Sequence, residues 1–492
     1  MNDYNSPSVD VAQRDPATLE TIISSGFAGF SIVEMASRPG NALAAAADEI
    51  VSVQDYVRAT SAEPRQEFDN RDVQQTTTRS PWYDLLSVIA SETDALRALD
   101  AGTVLGQVTV ARPKGNTDRG RIFALMSRGL CTIQQGLLFD KAFIVNETSK
   151  PDPGGDDFHP GAEVVAAGIS DLRKAIALAE TSLPDTLPIN WIVGGQRTYP
   201  ELIRIMHSYI ARSMVYAART PTERAAVDWP TVIAEINKGI TANFTTLLEG
   251  TYGWGGSGYW TSSQSAGTSS SSGQRTSNKL LGPADTSGKY QAWLAAPLGT
   301  RVPFTISTPD RRIHRAAGAT AAGTYYAFQT ASMYTGFGTY FLSNYRNVRI
   351  GTAYFVNDIG STITHVSLAE MDFLRAEALY RTGDKAGAAA ILNKTRVANG
   401  QLAPVTVDGP PNTASCVPRR NDGTCGDLMD ALQYEKRIEM YPTNPIVAWA
   451  DARGWGKLLK GSLMNLPVSG RDLASLGLPI YSFGGSLPGS AP

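Results

Sequence analysis

Helical periodicity that recurs in couples is the feature that most constrains this chain. Apolar residues return every three or four positions in segment after segment, and turn formers join the segments two by two. Asp118 opens one long helix with Ile122, Leu125, Met126, Leu130, Ile133 and Leu137 on one face. A Pro/Gly/Asp loop from Lys150 to Gly161 follows, and then AEVVAAGISDLRKAIALAE. The coupling repeats at Tyr199–Ala218 with Trp229–Leu248, and again in SLAEMDFLRAEALYRTGDKAGAAAILNKTRVANG around a tight Thr382-Gly383-Asp384 turn. Upstream, Asp15 and Pro16 form a cap and first helical position, with Leu19, Ile22, Ile23, Phe27 and Phe30 on one face. Further helices are expected over Ala42–Arg58 and Tyr83–Leu99. One helix cannot bury its apolar stripe alone, whereas three or more stacked couples bury a continuous core. The pattern predicts a mostly α chain with about four helical hairpins between residues 118 and 460. Any antiparallel helical bundle would satisfy the same periodicity.

Composition narrows the function classes. The 44 basic and 46 acidic residues leave a charge of −2, which argues against a nucleic-acid binder. The 42% apolar residues argue against a wholly disordered chain, and no apolar run approaches the ~18 residues of a membrane-spanning helix. Three cysteines and four histidines, without HExxH, give no metal-site spacing and imply no cofactor. Cys416 and Cys425 frame a short turn-rich loop, so a disulfide is expected there, with Cys131 left as a packed thiol in its helix. Two unpaired thiols in a reducing compartment are the alternative. MNDYNSPSVDVAQRDP shows no signal peptide; either the protein is cytosolic or a leader has been removed.

The interval 250–354 breaks the helical pattern. It contains the low-complexity stretch TSSQSAGTSSSSGQRTSN, yet holds 16 of the chain's 42 Phe, Trp and Tyr residues, so aromatic contact is its main chemical resource. Trp254, Tyr259, Trp260 and Tyr252 lie in the glycine-rich TYGWGGSGYW, and Tyr334 and Tyr340 in a second aromatic run. Such rings suit stacking on a sugar or contact with a protein partner; packing a small core of their own is the competing reading. Loops held by a rigid scaffold are where a binding surface is expected. The basic excess here (Arg275, Arg301, Arg311, Arg312, Arg315, Arg346, Arg349) leaves an acidic ligand open.

Signs of catalysis are poor, and no catalytic residue is assigned. GWGGSG lacks the Gly-Lys-Ser/Thr ending of a phosphate-binding loop, and Ser257 lacks the second glycine of a GxSxG elbow. Carboxylate pairs such as Asp156-Asp157 and Glu435/Glu439 arise by chance in a chain with 46 acids, so a glycosidase pair stays open only as an alternative. Glu435 falls on the apolar stripe of Leu428, Ala431, Leu432 and Ile438. Its expected role is an ion pair with an arginine, such as Arg437, Arg453 or Arg375, because a lone buried carboxylate is costly; a catalytic acid is the other reading.

Several of these stretches carry a resemblance. The Ser367–Gly400 unit, with small Ala376, Ala378, Ala386 and Ala390, looks like a tetratricopeptide (TPR) hairpin. Together with RGRIFALMSRGLCTIQQGLLFDKAFIV, TPDRRIH, YEKRIEM followed by WADARGWGKL, and LPIYSFGG, it resembles the SusD/RagB family of outer-membrane lipoproteins, with the motifs in the family's order. The departures are the proline before Asp310, Tyr481 in place of a proline, and no visible lipobox cysteine. The resemblance implies a SusD-like, mostly α fold in which TPR-like hairpins carry a loop-rich insertion. The parts are an N-terminal helical segment (1–117), TPR-like pairs (118–249), an aromatic ligand-binding insertion (250–354), a C-terminal hairpin with closing helices (355–460) and an extended tail (461–492). It further implies a non-catalytic cell-surface protein that binds a nutrient, a glycan or oligosaccharide, and is tied to the outer membrane by an N-terminal lipid. Its partner would be a SusC-like TonB-dependent transporter. The alternatives are a TPR-type protein-interaction scaffold without a small ligand and, third, an α-helical glycoside hydrolase.

Overall fold

The computed structural model describes residues 15–52, 60, 62–71, 76–150, 154–247, 274–315, 321–329, 343–349 and 362–484. Asp15 caps the first helix, its Oδ2 accepting from the Thr18 amide at 2.9 Å, with Pro16 at the first helical position. The expected single face from Pro16 to Phe30 is split at Ser25 into α1 (Pro16–Ser24) and α2 (Gly26–Glu34). Then come α3 (Ser37–Ala46), α4 (Thr76–Asp100), α5 (Thr117–Leu138), α6 (Gly161–Thr181), α7 (Tyr199–Tyr216), α8 (Pro221–Ala225) and α9 (Trp229–Lys238). The interval after them holds the short α10 (Asn278–Leu281) and α11 (Lys289–Ala295). The C-terminal part holds α12 (Leu368–Thr382), α13 (Lys385–Ala398), α14 (Leu428–Met440), α15 (Pro445–Gly454) and α16 (Gly470–Ser475).

The three couples named from the sequence are α5/α6, α7/α9 and α12/α13; α14 and α15 supply a fourth pair, and the members of each pack together. Packing continues from couple to couple, α6 on α7, α9 on α12 and α12 on α14. It then closes, because α15 lies on α3, α3 on α4 and α4 on α5. As a result α5 is enclosed: every residue from Ile122 to Leu138 is buried, where the sequence predicts one stripe. Glycines permit the tightest of these contacts. A Cβ placed on Gly168 of α6 would lie 2.5 Å from the Gly129 carbonyl of α5, and one on Gly136 would lie 2.6 Å from the Gly161 carbonyl. At the α12–α13 turn Gly383 adopts φ +99°, a conformation open to glycine at no steric cost, and Asp384 caps α13.

Two expected helices are corrected. The helix predicted over 42–58 ends at Ala46; Asp48 turns at φ +56°, and Ile50–Ser52 become strand β1. The helix predicted to run from Trp229 to Leu248 ends at Lys238, before Gly239, and Phe244–Leu247 form β4. In both cases a partner far along the chain supplies the ladder. β1 pairs antiparallel with β5 (Gln274–Thr276), and β4 with β8 (Thr362–Val366). Two further ribbons pair β2 (Lys141–Phe143) with β3 (Phe158–Pro160), and β6 (Tyr326–Phe328) with β7 (Tyr345–Asn347). Helix dominates, as the periodicity requires. A large core lies among the helices. A second, smaller one gathers Ile50, Leu281, Ile306, Ile313, Tyr326 and Tyr345 against Tyr434, Ile438 and Tyr441 of the C-terminal helices.

Candidate functional site

The aromatic residues singled out as a ligand surface, Tyr252, Trp254, Tyr259, Trp260, Tyr334 and Tyr340, lie outside the described residues. In the described remainder of the insertion, Tyr290, Trp293, Tyr326 and Tyr345 are buried. Tyr290 stacks on Trp293 at 6.2 Å, while Tyr326, stacked on Tyr441 at 6.2 Å, and Tyr345 belong to the second core. Packing inside the insertion holds for Tyr290, Trp293 and Tyr345, which meets Phe328, whereas Tyr326 packs on Tyr441 outside it.

The basic residues of the interval divide in the same way. Arg312 is wholly buried at the end of the Thr308-Pro309-Asp310 turn, whose Asp310 Oδ1 accepts from the Arg312 amide at 3.0 Å. Its guanidinium reaches Asp310 at 2.7 Å, Glu435 at 2.7 Å and Glu439 at 2.9 Å. Arg396 donates to the other Glu435 oxygen at 2.9 Å, Tyr325 to Glu439 at 2.9 Å and Tyr434 to Asp310 at 2.6 Å. The expected partners of Glu435 (Arg437, Arg453, Arg375) are thus replaced by Arg312 and Arg396. Arg375 instead donates to Asn237, Arg453 to backbone carbonyls including that of Tyr216, and Arg437 to the Ala47 carbonyl. Burial raises the Glu435 carboxyl while the two guanidinium groups oppose it. All four oxygens of Glu435 and Glu439 have donors, an arrangement that locks the insertion to α14 and leaves no open carboxylate pair there.

Two comparable networks tie the helical ring. Arg212 bridges Glu34 at 2.8 Å and Glu370 at 2.5 Å, and His365 Nδ1 lies 2.7 Å from Glu34. Arg224 bridges Glu377 at 2.6 Å and Asp451 at 2.8 Å. Burial alone would raise Glu377, but the Arg224 guanidinium holds it down at about 2.

The described residues enclose a cleft of about 750 Å3, within the roughly 300–1,000 Å3 usual for ligand sites. One wall comes from the insertion (Lys279, Tyr290, Arg301), and a second from the loop 418–422. The third is α14 with Gln433, Tyr434 and Arg437, and Trp455 and Lys457 follow α15. The loop is bounded by Cys416 and Cys425, which are joined in a disulfide with Cα atoms 5.8 Å apart, while Cys131 is a buried free thiol. Asp48 and Glu63 line the cleft as well, so segments far apart in the chain must fold together before it exists, and no local pattern marks it. Among the described residues no His, Cys, Asp and Glu group has the geometry of a metal site, and no helix is long and apolar enough to cross a membrane.

Comparison with known proteins places the architecture. No protein-family model and no curated protein matches the sequence. Among solved structures the chain is similar to a SusD homologue from Bacteroides thetaiotaomicron at 12% identity, covering 92% of this chain and 89% of that one with a TM-score of 0.55. A second SusD homologue from that organism matches at 13% identity, covering 94% and 96% with a TM-score of 0.54. A SusD-superfamily protein from Bacteroides vulgatus matches at 13%, covering 91% and 89% with a TM-score of 0.52. At such identities the likeness is one of fold.

Proposed function

Starting from this SusD-like fold, we propose that the protein is a non-catalytic binding protein of the cell surface that captures a glycan or other oligomeric nutrient. In this reading it hands the ligand to a SusC-like TonB-dependent transporter and is held at the outer membrane by an N-terminal lipid. The observation that carries the proposal is the match in fold along more than nine-tenths of the chain to SusD homologues. A fold hosts many functions, so the site must be tested directly. The ligand surface is assigned to the 250–354 insertion, with Trp254, Tyr259 and Trp260 as the first contacts to examine. A ring stacked on a sugar is worth about 0.5–1.5 kcal/mol by analogy with aromatic pairs, which suits capture followed by release.

Calorimetric titration against a panel of neutral and acidic oligosaccharides tests the proposal. Trp254→Ala and Trp260→Ala should weaken binding while moving the melting temperature by no more than a few degrees. Hydrolysis of a panel member would replace binding by catalysis as the function. Normal binding by both variants would put the sugar contacts elsewhere on the chain.

A further inference from the structure

Charge in the 750 Å3 cleft is unevenly compensated. Its lining carries Lys279, Arg301, Arg419, Arg420, Arg437 and Lys457 against Asp48, Glu63, Asp422 and Asp430. Each of these carboxylates is already engaged. Asp48 accepts from Arg65 at 2.7 Å, a cation from outside the cleft lining. Glu63 is shared by Lys279 and by Arg301, the latter at 3.2 Å. Asp430 takes Arg420 at 2.7 Å, and Asp422 accepts from the Thr424 amide at 2.9 Å.

Three cations form no ion pair within 4 Å among the described residues: Arg419, Arg437 and Lys457, although Arg437 lies close enough to Asp48 to help hold its carboxyl down. Arg419 donates to the carbonyls of Gly423 and Ala414, at 3.0 Å and 2.6 Å. Arg437 donates to those of Ala47 and Asp48, at 2.9 Å and 3.3 Å. In both, Nε is buried with no acceptor. Lys457 is exposed at the rim. The nearby Glu49 does not neutralise Arg437 at pH 7, since burial keeps its carboxyl protonated up to about 8. A partly buried guanidinium with only carbonyl acceptors is poorly compensated, and a carboxylate offers it charge-assisted, bidentate pairing. The cleft also presents the amide of Gln433, a polar group beside the cations.

We propose that this cleft is a binding site for an anionic oligosaccharide, one that carries carboxylates on its sugar rings. The assignment rests on the glycan-capture reading above and adds the ligand's charge class and a second place of contact, apart from the Trp254 stretch.

The test is calorimetric titration of the full chain with galacturonate and mannuronate hexamers and with the uncharged galactose hexamer. An acidic hexamer should bind about tenfold more tightly than the neutral one, and the advantage should shrink as NaCl is raised. Lys457→Glu, at an exposed position that leaves folding intact, should cost the acidic hexamer about three- to tenfold and the neutral hexamer nothing. Arg437→Gln should act in the same direction. If saccharides bind but the acidic ones have no advantage, or Lys457→Glu and Arg437→Gln leave their affinity unchanged, the cleft assignment is wrong and glycan capture survives. If no saccharide of either charge binds, both readings fall.

Discussion

Replacing Glu49 by glutamine should remove most of one proton's worth of pH dependence from the protein's stability. Glu49 sits between α3 and β1 and is only 2% exposed. Burial pushes its carboxyl up to about 8; Arg437 opposes the shift and Asp451 adds to it. The rings of Tyr326 and Tyr441 also face it, and their hydroxyls ionise far above this range. The unfolded carboxyl releases its proton near its ordinary 4.5, whereas the folded one keeps it up to about 8. Between those values the folded state holds more protons, so stability falls as pH rises. Below 4.5 both states are protonated and the contribution vanishes; above 8 both are ionised and the penalty is constant. An interval of about 3.5 pH units at about 1.4 kcal/mol each amounts to about 5 kcal/mol. Glutamine copies the size and neutrality of the protonated acid. Urea unfolding of wild type and Glu49→Gln at pH 5, 6, 7 and 8 should therefore show the variant gaining about 1.4 kcal/mol per pH unit over wild type. Taking the difference cancels groups that titrate alike in both proteins. A difference that stays constant across this range would mean that Glu49 is ionised throughout, and the reasoning from burial would be refuted.

Removing the Arg312 side chain takes from three buried carboxylates the guanidinium they share, leaving Arg396, Tyr325 and Tyr434 as their remaining donors, so Arg312→Ala should cost about 3–5 kcal/mol in denaturant unfolding. Arg375→Ala, at a residue whose one hydrogen bond among the described residues is to Asn237, should cost less than about 1 kcal/mol. A Cβ on Gly168 meets the Gly129 carbonyl at 2.5 Å, so Gly168→Ala should lower stability by about 1–3 kcal/mol through separation of α5 from α6, seen as a lower melting temperature. Intact-mass measurement of the native protein should show Cys416 and Cys425 alkylating only after reduction, and buried Cys131 only after unfolding. Cys416→Ser should lower stability by about 2–3 kcal/mol, the loop-closure value for so short a ring.

The sequence by itself determined what is local. Periodicity of 3.6 marks which residues face inward, so three of the four couples could be read directly, as could the Asp15 cap and the Gly383 turn. Even Glu435 was recognisable as a buried acid, since it falls on an apolar stripe. Its partners were not, because a chain with 44 basic residues offers many cations, and only assembly brings Arg312 across the chain to α14. Strands β1 and β4 were hidden for a related reason. A three- or four-residue segment carries too little pattern to outweigh helix, and its ladder comes from β5 or β8, far along the chain. The enclosure of α5 and the closing of α15 onto α3 follow from how complete helices pack, which no single stripe specifies. The cleft is the extreme case. Its cations are ordinary surface-type residues in sequence, and they acquire a common environment only once the insertion, the disulfide loop and α14 enclose the same volume.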